Sequence, residues 1–124
     1  MLGNQAQAAS VVLMLSPVSA ANTAAATSGW IDVRAAEGDI LVTVQTGAVT
    51  GSITWTLEDA TDGSGTGGAA ITANEGAFAA GAANQVQKRT LNASAVRGWI
   101  RVVGTIVTGP SLVAANVKYH PKYA

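Results

Sequence analysis

Apolar and polar side chains alternate with a period of two over long parts of the chain. In DILVTVQT, residues 39–46, Ile40, Val42 and Val44 share one side and Leu41, Thr43 and Gln45 the other. In SITWTLED, residues 52–59, Ile53, Trp55 and Leu57 oppose Thr54, Thr56 and Glu58. This period marks β-strands with one buried face, and it makes Trp55 a core residue. The intervening TGAVTG predicts a hairpin that pairs the two strands. Farther on, RGWIRVVGTIVTGPSLVAANVKY, residues 97–119, predicts two more strands and a tight turn. Ile100, Val102 and Ile106 point one way and Trp99, Arg101 and Val103 the other. The chain then turns through Gly109 and Pro110 and continues with Val113, Ala115, Val117 and Tyr119.

Weaker segments complete the pattern. ASVVLMLSPVSAA, residues 9–21, superficially resembles a signal peptide, but no Lys or Arg precedes it and its strictly apolar part is only Val11 to Leu15. A membrane span needs about 20 apolar residues, so Ser10 to Leu15 reads as a first strand. DATDGSGTGG, residues 59–68, is a loop on composition. Phe78, the one large aromatic of an Ala- and Gly-rich stretch, is a predicted core anchor. NQVQKRTLNAS, residues 84–94, reads as a polar strand with Val86 inward, and a short helix is possible over residues 91–97. About eight short strands with Gly-rich turns point to an all-β fold, an antiparallel β-sandwich of jelly-roll or immunoglobulin-like type. Residues 1–28 form an extended N-terminal arm carrying the first strand, and residues 29–124 the sandwich domain. Val12 and Leu13 of the arm strand are fold or assembly candidates, because that strand either completes its own sandwich or adds to the sheet edge of a neighbouring subunit.

Composition adds an expectation of partners. Charged residues are 11% of the 124 positions, well below the roughly 25% of ordinary globular proteins. So sparse a surface favours a subunit partly covered by its neighbours. The net charge is zero but unevenly placed. Residues 1–75 hold all seven acids and one base, a net of −6, and residues 76–124 a net of +6. A sheet protein can interleave its halves, the commoner outcome, or display two faces of opposite sign to sister subunits.

Candidate chemistry is sparse. The chain has no cysteine, hence no disulfide or thiolate. His120 has no acid near it in sequence, and Ser-His-Asp chemistry requires all three to converge. Asp59, Asp62 and Gly63 faintly suggest a calcium loop but lack its alternating oxygens and closing Glu. The glycines of the same loop lack the G-K-S/T of a phosphate cradle. Asp32, Glu37 and Asp39 read as solvated acids around a turn rather than glycosidase carboxylates. Lys88, Arg89, Arg97, Arg101, Lys118 and Lys122 form the one candidate basic set, without a nucleic-acid-binding signature. The expectation is a protein that is not an enzyme, with no cofactor, metal, nucleic acid or membrane. Exposed Trp30 or Trp99 stacking on a sugar, as in a carbohydrate-binding module, is the alternative from a different class.

The order SGWIDVRAAEGDILVTVQTG, ITWTLEDATDGSG, a lone Phe78 and RGWIRVVGTIVTGPSLVAANV resembles a family of small virion structural proteins of tailed bacteriophages over roughly residues 28–119. The matching positions are Asp32, Asp62, Gly63, Ser64, Phe78, Arg97, Trp99, Arg101, Val102, Val103, Thr105 and Gly109. Trp99 stands where that family usually has tyrosine, and Pro110 precedes Ser111 where the family shows the reverse order. The resemblance implies a virion β-sandwich, most often a head decoration or cement protein on the capsid surface. Its partner would be the major capsid protein, and it would assemble as a homo-oligomer, with a trimer favoured. The matched residues would serve as fold or assembly positions. A tail or head-fibre component is the alternative within the same class.

Overall fold

The computed structural model describes residues 9–121. Eight strands run along the described residues: β1 (Ser10–Ala20), β2 (Ile31–Asp32), β3 (Ala36–Val49), β4 (Ile53–Ala60), β5 (Ala69–Ile71), β6 (Gln85–Asn92), β7 (Trp99–Ile106) and β8 (Ser111–Pro121). They form two four-stranded antiparallel sheets, ordered β1-β8-β3-β6 and β2-β7-β4-β5. Residues 1–8 of the arm, and Lys122 of the basic set, lie outside the described residues.

The order has a simple origin. Strand 1 pairs with 8, 2 with 7, 3 with 6 and 4 with 5, as if one long antiparallel ribbon had been wrapped into two layers. That wrapping is a jelly roll, which decides between the two sandwich types left open by the strand pattern. It also pairs strands of the acidic half with strands of the basic half. Part of the charge asymmetry is therefore compensated inside one chain, where Asp59 meets Arg97 and Glu58 meets Arg101.

The alternation assigns the faces of most strands. Ile40, Val42 and Val44 of β3, with Val113, Ala115 and Val117 of β8, pack toward Ile53, Trp55 and Leu57 of β4 and Ile100 and Val102 of β7. Phe78 and Leu91 close the core. Gly104 makes room for the largest of these side chains, since a Cβ there would lie 3.0 Å from the Trp55 ring.

Four expectations are corrected. β3 and β4 do not form a hairpin: β3 lies between β8 and β6, and β4 between β7 and β5. β7 and β8 likewise part into different sheets. Both connections cross between layers at one end of the sandwich and bond to one another, Thr50 N–H to Pro110 O at 3.1 Å and Val107 N–H to Ser52 O at 3.2 Å. Gly51, at φ 73°, passes so close to Thr108 that a Cβ would meet it at 2.4 Å. Two strands whose apolar sides both need covering do so by facing one another across layers, which a short Gly-containing link permits as readily as a hairpin. Val86 points outward and is 64% exposed. The inward positions of β6 are Gln87 and Leu91, and Gln87 is tolerated there because its amide bonds both the N–H and the C=O of Ala79. In place of a helix over residues 91–97, β6 runs to Asn92, and only a 3₁₀ turn follows at Ala93–Ala95.

β1 pairs with β8 of its own chain, with register shifts between Leu13 and Leu15 and between Leu15 and Val18, the second of which accommodates Pro17. Val12 packs against the core and Leu13 faces outward.

Candidate assembly surface

Six of the residues singled out in the sequence, Asp32, Asp62, Gly63, Arg97, Trp99 and Arg101, belong to the β2-β7-β4-β5 sheet and the loops that meet at its outer side. The organising element is the loop from Thr61 to Gly68, which joins β4 to β5. Asp62 shapes it by accepting from the backbone N–H groups of Ser64 at 2.9 Å and Thr66 at 3.1 Å. Thr66, ahead of the Ser64 and Gly65 amides, holds the Asp62 carboxyl below the usual carboxylate range. So folded, the loop lies against two indoles. A Cβ on Gly63 would come within 3.0 Å of the Trp99 ring, and one on Gly65, at φ 84°, within 2.6 Å of Trp30 Nε1. Only glycine permits that approach.

Each indole also carries an arginine. Arg34 lies 5.2 Å from the Trp99 ring centre and Arg101 lies 4.6 Å from that of Trp30. Both guanidinium groups are oriented by acids. Arg34 donates to the two Asp32 oxygens at 2.9 and 2.8 Å, and Arg101 Nε donates to Glu58 at 2.7 Å. The Arg34 hydrogen bonds keep the Asp32 carboxyl below its usual range. Exposed pairs of this kind contribute little singly, but here the acid-bound guanidinium groups also lie over the rings.

A third pair anchors the loop. The Asp59 carboxylate is almost wholly buried and accepts from the Arg97 backbone N–H at 3.1 Å, Nε at 3.2 Å and Nη2 at 2.8 Å. Arg97 Nη2 also donates to Gly67 O at 2.7 Å, tying the loop to the start of β7. The hydrogen bonds to the Asp59 carboxylate raise the Arg97 pKa further.

The other candidate groups do not converge. Asp59 and Asp62 are engaged by Arg97 and by loop amides, so the calcium-like spacing holds no free carboxylate pair. Asp32 lies on one sheet and Glu37 and Asp39 on the other. Lys88 and Lys118 lie on the outer side of the β1-β8-β3-β6 sheet, Arg97 and Arg101 on the opposite sheet, and Arg89 over the Phe78 ring at 5.2 Å. His120 faces Glu37 across the β3–β8 pair, an acid far away in sequence. Among the described residues no group of three or more His, Asp or Glu side chains could hold a metal ion. An open groove of about 430 Å³ over Pro17–Ser19, Gln45–Gly47 and Leu112–Ala114 carries no ionisable side chain. Val12, Leu13, Trp55 and Phe78 lie away from the arginine and tryptophan cluster, the last two in the core. Sequence reasoning missed Arg34, Glu58 and Asp59 as members of the cluster. The −6 and +6 division of charge was a signal for Glu58 and Asp59, which pair with Arg101 and Arg97, but not for Arg34, which pairs with Asp32 of its own half.

No protein-family model matches the chain, and no curated protein sequence does. Among solved structures, that of the SPBc2 prophage-derived protein YomS superposes with a TM-score of 0.54 at 13% identity, over 89% of this chain and 92% of that one. A structure of Bacillus endospore appendages reaches 0.49 at 12% identity, over 91% and 87% of the two chains. The VP2 subviral particle of infectious bursal disease virus reaches 0.46 at 9% identity, over 90% of this chain and 32% of VP2. At such identities the likeness is one of fold.

Proposed function

We propose that this chain is a structural protein of a phage virion that decorates the outer surface of the head and stabilises it by bridging major capsid subunits. The observation that carries the reading is the coincidence of two independent likenesses. The sequence order from Asp32 to Gly109 resembles small virion proteins, and the fold is that of a prophage-derived protein. The candidate surface supports a binding role. Its loop is pre-shaped by Asp62 and Arg97, so little conformational entropy remains to be lost when a partner covers it. The sparse charge lowers the desolvation cost of covering the rest.

The sugar-binding alternative is less well supported by the site, since Trp30 and Trp99 already stack with Arg101 and Arg34. Electron cryomicroscopy of purified particles carrying the chain tests the proposal. Hundreds of copies on the capsid surface are expected, with heads that lose DNA at lower temperature when the chain is missing. A few copies confined to the tail or to head fibres, or none in the particle, would overturn it.

A further inference from the structure

A sandwich of two open sheets has four edges, and three of these are closed. β2 and β5 are only two and three residues long. β6 is covered by the segment running beside it: Thr90 N–H donates to Glu75 and Thr90 O accepts from Asn74 N–H, each at 2.8 Å, while Gln87 and Arg89 bond to Ala79 and Ala77. β1 is different. It pairs only with β8, and among the described residues nothing hydrogen-bonds along its other side. Its second half is blunted by Pro17 and the register shifts, but Ser10 to Leu13 is regular and unprotected. No charged residue occurs before Asp32, so the lysines that usually guard such edges are missing. On the outer face of this stretch Val11 is 67% and Leu13 55% exposed.

We infer that the β1 edge pairs antiparallel with the β1 edge of a second copy, giving a two-fold dimer with one continuous eight-stranded sheet. The occupant follows from the count of edges. Head-to-tail addition consumes two different free edges per subunit, whereas one free edge is satisfied by the same edge of another copy. An uncharged strand meets no like-charge repulsion in pairing with itself. Register is constrained too. Opposed residues must share a face, and centring the pair on Val12, within the regular stretch, sets Val12 against Val12 and Val11 against Leu13 of the partner. The inference is independent of the capsid reading and goes beyond it, replacing the trimer with a two-fold pair.

Sedimentation of the full chain over a concentration series, together with cysteine pairing in this cysteine-free sequence, tests it. A monomer–dimer equilibrium is expected, and Leu13→Lys should weaken it at least about tenfold. Opposed Cα atoms about 4.5–5.5 Å apart suit a disulfide. Val11→Cys mixed with Leu13→Cys should therefore oxidise to a linked pair faster than either variant alone, and Val86→Cys, equally exposed on the opposite edge, should not. The cysteine readout stands even if Leu13→Lys fails to fold. A monomer up to about 1 mM, the weak end of specific association, would overturn the inference. So would a mixture that links no faster than the single variants or Val86→Cys, or a β1 edge that binds capsid subunits but not itself.

Discussion

Replacing Trp55 by alanine should be the most damaging single change in the core. The indole is 2% exposed, lies between the layers, and touches the space left open by Gly104. Truncating a buried tryptophan costs about 3–5 kcal/mol. The upper half of that range applies here, because a cavity of about 170 Å³ bounded by Leu57, Ile71, Ala73 and Phe78 already lies alongside and offers few atoms to refill the void. Against a typical domain stability of about 5–15 kcal/mol, the melting temperature should fall by roughly 10–20 °C. Trp55→Phe supplies the control. It keeps most of the apolar volume and removes the buried indole N–H, which has no hydrogen-bond partner, so its cost should stay under about 2 kcal/mol. Both variants are read by circular-dichroism melting, since the substitution itself alters tryptophan fluorescence. An alanine variant melting within a few degrees of the parent would refute the packing argument. A phenylalanine variant as damaged as the alanine one would show that the N–H is essential.

Gly65→Ala forces a Cβ onto both a left-handed backbone and the Trp30 ring, and should cost about 1–3 kcal/mol with a shift in tryptophan emission; unchanged melting would detach the loop from the indole. Asp32, Asp62 and Glu75 have carboxyl pKa values lowered by Arg34, Thr66 and Thr90 respectively. Groups depressed in the folded state contribute stability that is fully present above the unfolded carboxylate range near pH 4 and lost as pH falls through their folded values. Melting temperature should therefore be flat from about pH 7 to 5 and drop below about pH 4, and a plateau extending to pH 2 would contradict it. Removing residues 1–20 strips β8 of one of its two partners and uncovers the core beside Met14 and Ala20, so the truncated chain should be unfolded or aggregated by circular dichroism; a folded truncation would mean that β1 contributes little to its own sandwich.

The local pattern was sufficient to say which side of β3, β4 and β7 is buried. Ile40, Val42 and Val44, then Ile53, Trp55 and Leu57, then Ile100 and Val102 all face inward as their alternation requires, because the pleat sends neighbouring side chains to opposite faces whatever the partner strand. Partners were not legible. TGAVTG and TGPS look like hairpin turns, but a turn of that composition also serves a crossing between layers, and only the global wrapping of β1–β4 against β8–β5 selects the crossing. β6 escaped the pattern for a related reason: Gln87 is buried because Ala79, folded back from the preceding segment, satisfies its amide, so hydrophobicity chose Val86 wrongly. The charge halves were visible, but their meaning depended on pairing. The jelly roll sets Asp59 against Arg97, 38 residues apart, and Glu58 against Arg101, 43 apart. Periodicity is a property of neighbours along the chain. The cluster around Trp30 and Trp99, like the free edge of β1, exists only once distant strands lie side by side.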